Sequence, residues 1–210
     1  MDLLVVRHGE TVANTLNHYY GFTDSPVTEK GRIQAEAAGT AVKRMGYKPD
    51  EIYISQRKRT RETLKLMGFD PDKAHVDPRI NEQNMGIFEN KKYGEIEKQF
   101  PEYFKLWNDD FLHYRMPEGE SRIEMYKRVK SFFKDMVKLY GKTDKKILIV
   151  CHGGVMNSFY TYLIGENFDE SYSAYFGNCS MLKVSLMSEK LVIQSLITAE
   201  EFVAAMNFKE

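Results

Sequence analysis

Two short stretches of the chain share one pattern. Leu3-Leu4-Val5-Val6 runs into Arg7-His8-Gly9, and Ile147-Leu148-Ile149-Val150 runs into Cys151-His152-Gly153. Imidazole titrates close to neutrality and serves as base, nucleophile or metal ligand. One histidine behind a strand is most simply a hydrogen-bonding cap. Two in matching context, each followed by a glycine that lets backbone approach closely, point to a shared pocket.

Several chemistries compete for such a pair. His8-Gly9-Glu10 fits the first half of a zinc-deaminase signature, but the Pro-Cys-x-x-Cys half is missing. HExxH, the GxxxxGK[ST] phosphate loop and the GxSxG elbow are missing too. Asn157 stands where a cysteine phosphatase would need an arginine after Cys151. What is left is histidine working with the arginine beside it. Arg7 places a planar cation, suited to phosphate oxygens, next to His8.

Both apolar runs are unbroken, the mark of strands covered on both faces in a parallel sheet. In open α/β sheets the ligand crevice lies beyond the carboxyl ends of the strands. His8 and His152 converge there if their strands are neighbours. Ile52–Ile54 is a shorter strand, and Met181–Leu186 with Leu191–Ile197 form a hairpin or two neighbouring strands. Thr28 caps a helix that ends near Gly46, and another runs from Lys58 to Met67. Glu95–Phe100 and Tyr103–Phe111 are helical pieces broken by Pro101. Ser121 and Glu124 form a capping box for a helix with the apolar stripe Tyr126, Val129, Phe133, Met136, Val137 and Tyr140. Helices from Val155 to Ile164 and from Ala199 to Met206 complete the pattern. The expected fold is α/β: a three-layer α/β/α sandwich in one domain, residues 1–210, with a mostly parallel central sheet. Residues 86–120 read as a helical cap insertion over the carboxyl ends of the strands.

Composition narrows the rest. The 210 residues hold thirty Lys+Arg against thirty Asp+Glu, and 42% are hydrophobic. A zero net charge removes the global electrostatic footprint of a nucleic-acid binder. No apolar run approaches the ~18 residues of a membrane span. Cys151 and Cys179 make neither a disulfide framework nor a CxxC zinc pair. The expected protein is cytoplasmic, binds neither nucleic acid nor membrane, and uses no metal or other cofactor; association into a homodimer stays open.

Arg7-His8-Gly9-Glu10-Thr11, followed by Asn14, resembles the opening signature of the histidine phosphatase superfamily, the phosphoglycerate mutase-like enzymes. The likeness continues through Thr23-Asp24-Ser25-Pro26-Val27-Thr28 with Gly31, Gln34 and Ala35. It goes on through Ser55, Arg59 and Thr63, then Glu82 with Gly86, and closes with Gly119-Glu120-Ser121 and His152-Gly153-Gly154. The resemblance implies that His8 attacks phosphorus and forms a phosphohistidine. Arg7, Arg59 and His152 would surround the phosphoryl group, and Glu82 would protonate the leaving oxygen. Substrate contacts are expected from Asn14, Gly21, Arg115, Tyr93 and Gly153. Arg59 is chosen over Arg57 and Arg61 by its spacing from Ser55 and to Thr63, although Gln56, Arg57 and Thr60 depart from the family's Ser-Pro-Leu-x-Arg-Ala. Glu10 and Glu89 compete with Glu82. Glu10 reads as structural, and Glu89 stands where the family often has Glu before glycine, a place held here by Asn90.

The superfamily includes mutases, whose Arg-Arg-Ser-Tyr-Asp stretch and following proline cluster find no match in residues 86–120. A phosphatase is therefore expected. Tyr93-Gly94-Glu95-Ile96 and the segment from Tyr114 to Ser121 resemble the fructose-2,6-bisphosphatase branch. Trp107, Phe111 and Asn157, however, occupy places where that branch has basic residues. Arg115, together with Trp107, Phe111 and Tyr93, suggests a pocket with an apolar wall and a monophosphate of a small organic or sugar group as substrate. His18, Tyr19 and Tyr20 are candidates for the pocket rim. The other readings are phosphoglycerate mutase-type transfer and a noncatalytic phospholigand-binding relative.

Overall fold

The computed structural model describes residues 1–171, 174–198 and 201. Strand β1 (Asp2–Arg7) is followed by α1 (Val12–Thr15), α2 (Glu29–Arg44), β2 (Glu51–Ile54), α3 (Lys58–Leu66) and β3 (His75–Val76). Next come α4 (Tyr93–Gln99), α5 (Pro101–Asp109), α6 (Arg122–Tyr140), β4 (Lys146–Cys151) and α7 (Gly153–Leu163). Helix α8 (Phe168–Ser171), β5 (Met181–Met187) and β6 (Lys190–Ile197) follow. The helix expected over 199–206 lies, Glu201 apart, outside the described residues.

The six strands form one sheet in the order β3-β2-β4-β1-β5-β6. The first four are mutually parallel, whereas β5 runs antiparallel to β1 and β6 antiparallel to β5. The unbroken apolar runs are explained by burial on both faces. Leu3, Val5, Ile147 and Ile149 pack against α6 and α7, while Leu4, Val6, Leu148 and Val150 pack against α2 and α3. That makes three layers. The tail is a true hairpin: Ser188 and Glu189 both adopt positive φ, 46° and 67°, as a tight two-residue turn matched to strand twist requires.

Local signals place the helices. Thr28 Oγ1 accepts from the Gly31 N–H to start α2. At α6, Ser121 Oγ accepts from the Glu124 N–H and the Glu124 carboxylate accepts from the Ser121 N–H at 2.8 Å. The α6 stripe meets α7 through stacked Phe133 and Phe159 rings, their centroids 3.5 Å apart. The break between α4 and α5 falls at Pro101 as expected, and the proline opens α5, because the first helical position needs no N–H.

Helices α4 and α5 belong to the insertion, which has a small core of Met85, Phe88, Ile96, Trp107 and Met116. It laps over the loop behind β1. Tyr19 donates its N–H to Lys91 O, accepts from the Asn90 N–H, and sets its ring edge-on to Trp107 at 5.3 Å. Asn90 holds a φ of 58°, which explains why a glycine suits this place and an asparagine can take it. Trp107 is 3% exposed and forms the floor of the insertion, not a wall of the cleft. Among the described residues no helix is long and apolar enough to cross a membrane.

Candidate active site

The register pairs Arg7 with Cys151, so His8 and His152 leave adjacent parallel strands side by side. The His8 N–H donates to Cys151 O at 3.0 Å, and the two imidazoles lie 5.3 Å apart, edge to face. His8 Nδ1 is 2.8 Å from Gly9 O. A carbonyl can only accept, so Nδ1 carries the hydrogen and the lone pair sits on Nε2, in a ring that lines the cleft. Burial, helped by the charges of Arg59 and Arg7, pushes the His8 pKa well below its ordinary value. The ring is therefore neutral at pH 7, the state a nucleophilic nitrogen needs.

The cleft, about 200 Å³ in volume, is lined by Arg7, His8, Asn14, Arg59 and Glu82, with His18, Tyr19, Tyr20, Gln83, Met85, Arg122 and Gly154. Arg7 anchors one end of its guanidinium on Phe176 O at 2.6 Å, and its buried Nε–H has no acceptor among the described residues. An unmet buried donor costs about 1–3 kcal/mol and suits a site that awaits an anion. Arg59, 1% exposed, donates to Gly21 O, Thr23 O and His152 Nδ1, and lies 4.7 Å over the Tyr20 ring. Its neighbours point elsewhere. Arg57 donates to Phe22 O, and Arg61 pairs with Asp72. His152 is fully buried, and burial followed by the Arg59 charge lowers its pKa well below the ordinary value.

Asn14 Oδ1 accepts from the Thr11 N–H at 3.1 Å and from Asn178 Nδ2 at 3.2 Å. That orientation leaves its Nδ2 without a partner among the described residues. The Glu82 carboxylate accepts from the Gly154 N–H at 3.0 Å, in the first turn of α7, and from the Gln83 N–H at 2.9 Å. Gly153 packs on Arg7: a Cβ there would stand 3.4 Å from its Nε.

Some expected contacts are placed differently. Arg115 does not line the cleft; it is drawn to Glu124 at 2.6 Å, with its side chain 66% exposed. Arg122 lines the cleft in its stead, its guanidinium 4.6 Å above the Phe111 ring. Gly21 is not in the cleft lining either. Its carbonyl holds Arg59, and a Cβ on it would fall 1.6 Å from Gln83 O. Tyr93 lines an adjoining cleft of about 490 Å³, which shares Arg7, Asn14, His18 and Tyr19 with the first. Phe111 serves as a platform for Arg122. Of the competing carboxylates, Glu10 takes hydrogen bonds from Thr28 and Lys30, and Glu89 takes backbone N–H groups. Arg122, Gln83, Met85 and Asn178 went unmarked in the sequence. Only Arg122 had a usable signal, a charged residue directly after the helix cap Ser121. Among the described residues, no group of three His, Cys, Asp or Glu side chains is arranged to hold a metal ion.

The chain matches the family model of the histidine phosphatase superfamily (branch 1) over residues 3–198. It is 30% identical, over 185 residues, to the probable phosphoglycerate mutase GpmB of Erwinia tasmaniensis, covering 88% of this chain and 84% of that one. Among solved structures, the alpha-ribazole phosphatase from Shigella flexneri superposes with a TM-score of 0.84 at 25% identity, covering 95% of this chain and 97% of that one. The mycobacterial glucosyl-3-phosphoglycerate phosphatase Rv2419c, solved in complex with VO3, superposes with a TM-score of 0.77 at 23% identity, covering 94% and 98%. At that identity the likeness is one of fold.

Proposed function

The chain belongs to the histidine phosphatase superfamily, branch 1, and we propose that it hydrolyses phosphate monoesters of small metabolites through a phosphohistidine on His8. One observation carries this reading. His8 is a buried, neutral imidazole whose Nδ1–H is tied to Gly9 O, so its Nε2 lone pair opens on a cleft that Arg7, Arg59 and Glu82 share.

The chemistry follows from those positions. The Nε2 lone pair attacks phosphorus as the ester P–O bond breaks, and Glu82 gives its proton to the leaving oxygen. Arg7 and Arg59 balance the charge on the equatorial oxygens, and Asn14 Nδ2 adds a neutral donor. Water then attacks the phosphohistidine, the P–N bond breaks, and Glu82 takes a proton from the water. Dividing the reaction helps because uncatalysed monoester hydrolysis is among the slowest reactions known.

Hydrolysis is favoured over mutase transfer because the insertion lacks the mutase stretch, and because Arg122 and His18 are the basic groups that line the cleft besides Arg7, His8 and Arg59. That set suits a monophosphate better than a doubly phosphorylated sugar. Mutase transfer, in which a second hydroxyl replaces water, stands as the second reading on the strength of the GpmB relative. The free thiols of Cys151 and Cys179 are in keeping with a cytoplasmic enzyme.

The test is a chromogenic phosphate ester with wild type and His8→Ala, followed by acid-quenched mass spectrometry. Phosphate is expected on His8, and equal turnover by the two proteins would sink the mechanism. Supplying a phosphoglycerate separates the readings: free phosphate means phosphatase, the isomer means mutase.

A further inference from the structure

Glu89 sits outside the cleft lining, yet its carboxylate gathers four backbone donors. The N–H groups of Gly21, Phe22 and Thr23 reach it at 2.9, 2.9 and 3.0 Å, and that of Met85 at 3.1 Å. Three successive N–H groups turned on one carboxylate make an anion nest. The same short segment faces the other way with its carbonyls. Gly21 O accepts from Arg59 Nη2 at 2.8 Å and Thr23 O from Arg59 Nη1 at 3.0 Å.

The link between the two residues is a single peptide unit. No peptide bond among the described residues is cis, so the Phe22 N–H and the Gly21 C=O point in opposite directions from one plane. Glu89 holds one end of that plane and Arg59 the other. The peptide dipole is oriented favourably toward both charges. Gly21 permits the close approach, since a side chain there would run into Gln83 O.

The arrangement also answers an electrostatic need. A carboxylate bonded directly to Arg59 would cancel the charge wanted by a transferring phosphoryl group. Instead the guanidinium is gripped by two carbonyls, by His152 Nδ1 and by the Tyr20 ring, and the Asp24 carboxylate forms a looser ion pair at 3.8 Å, without a hydrogen bond. The hydrogen bonds that give Arg59 its direction all go to uncharged acceptors.

We propose that Glu89 is a positioning residue for the reaction, fixing Arg59 through the Gly21–Phe22 peptide so that its guanidinium meets the transferring phosphoryl group in one orientation. The proposal rests on the phosphoryl-transfer reading of the cleft. Glu89→Gln removes the charge and turns a donor toward the N–H nest.

The experiment is a double-mutant cycle with Arg59→Lys, read in orthovanadate affinity by calorimetry and in kcat and KM for a chromogenic ester. Glu89→Gln alone is expected to weaken vanadate about tenfold and to lower kcat by a similar factor, with KM changed less than about threefold. In the Arg59→Lys background, which lacks the fork, the same substitution is expected to change vanadate affinity less than about twofold. Glu89→Asp, which keeps the charge, should recover part of the loss, and it takes the place of Glu89→Gln in the cycle if the latter does not fold. Equal losses in both backgrounds would overturn the proposal. A wild-type protein that neither binds orthovanadate nor turns over the ester would overturn the phosphoryl-transfer reading itself.

Discussion

Arg59 donates its Nε–H to Nδ1 of His152 at 3.2 Å, and this fixes which nitrogen of that buried ring carries the hydrogen. A guanidinium can only donate, so Nδ1 holds the lone pair and Nε2–H points at Ser55 Oγ, 2.8 Å away. Ser55 in turn lies 3.0 Å from Thr60 Oγ1, which donates to Arg57 O. Both ring nitrogens of His152 are thus engaged within the protein, and the hydroxyls behind it set the tautomer that receives the Arg59 Nε–H.

Ser55→Ala should therefore cost more than a surface serine would. It leaves a buried Nε2–H without an acceptor, a loss of about 1–3 kcal/mol in stability. Urea unfolding measures that term. The released tautomer should also lower kcat/KM for a phosphate ester by about tenfold. A variant with wild-type stability and turnover would mean that the ring does not depend on Ser55.

Stability should fall on mild acidification. His8 and His152 are buried and neutral, with folded-state pKa values well below the ordinary one, chiefly through burial. The unfolded chain binds protons at both rings near pH 6.5, whereas the folded chain does not. Their contribution is thus complete above that pH and is lost as pH drops below it, at up to about 1.4 kcal/mol per unit for each ring. Urea unfolding at pH 7.5, 6.5 and 5.5 tests this, with His8→Asn expected to reduce the slope. A flat stability over that range would show that the rings are not held neutral. The same depression keeps the His8 lone pair available below pH 6.5, so no loss of kcat/KM near that pH should come from His8.

What could be read from the sequence follows the range of the interaction concerned. The runs ending at Arg7 and Cys151 are legible as buried strands because each residue meets a helix on one face or the other. Thr28 and Ser121 are legible as caps because capping is complete within four residues. The direction of β5 is not legible, since a strand of either direction shows the same alternation. Trp107 suggested a cleft wall, but the insertion needs an apolar floor of its own, and the only tryptophan supplies it. Arg59 could be picked out by its spacing from Ser55. Arg115 and Arg122 could not be told apart, because that choice depends on how α5 and the start of α6 pack. Glu89 is ambiguous for a related reason: three of its four N–H partners come from a loop more than sixty residues earlier.

Exchanging the two arginines tests that correction. Arg122→Ala should raise KM for a phosphorylated metabolite by about tenfold, the scale of one lost charge-assisted hydrogen bond, with a smaller change in kcat. Arg115→Ala removes an ion pair whose side chains are 66% and 39% exposed, and should leave both constants within about twofold. Steady-state kinetics on one ester decides between them. A KM effect confined to Arg115→Ala would restore the sequence-based assignment.

Gly154→Ala should separate activity from stability. Gly154 is the second residue of α7 and has no positive φ, so alanine suits the backbone and carries about 1 kcal/mol of added helix propensity. Yet the new Cβ would stand 2.3 Å from Glu82 Oε1, and the methyl end of Met125 lies 3.1 Å away. The carboxyl is the end of a rotatable side chain, so it is the group that gives way. Glu82 then loses the Gly154 N–H and its place beside the leaving oxygen. The expected result is a kcat lowered by about 10²-fold, within the range of general acid–base catalysis, with a melting temperature close to wild type. Adding Gly154→Ala to Glu82→Gln should then cost little further activity, because the methyl acts through a carboxyl that is already gone. A full additional loss in the double variant would mean that the glycine is needed for something other than Glu82.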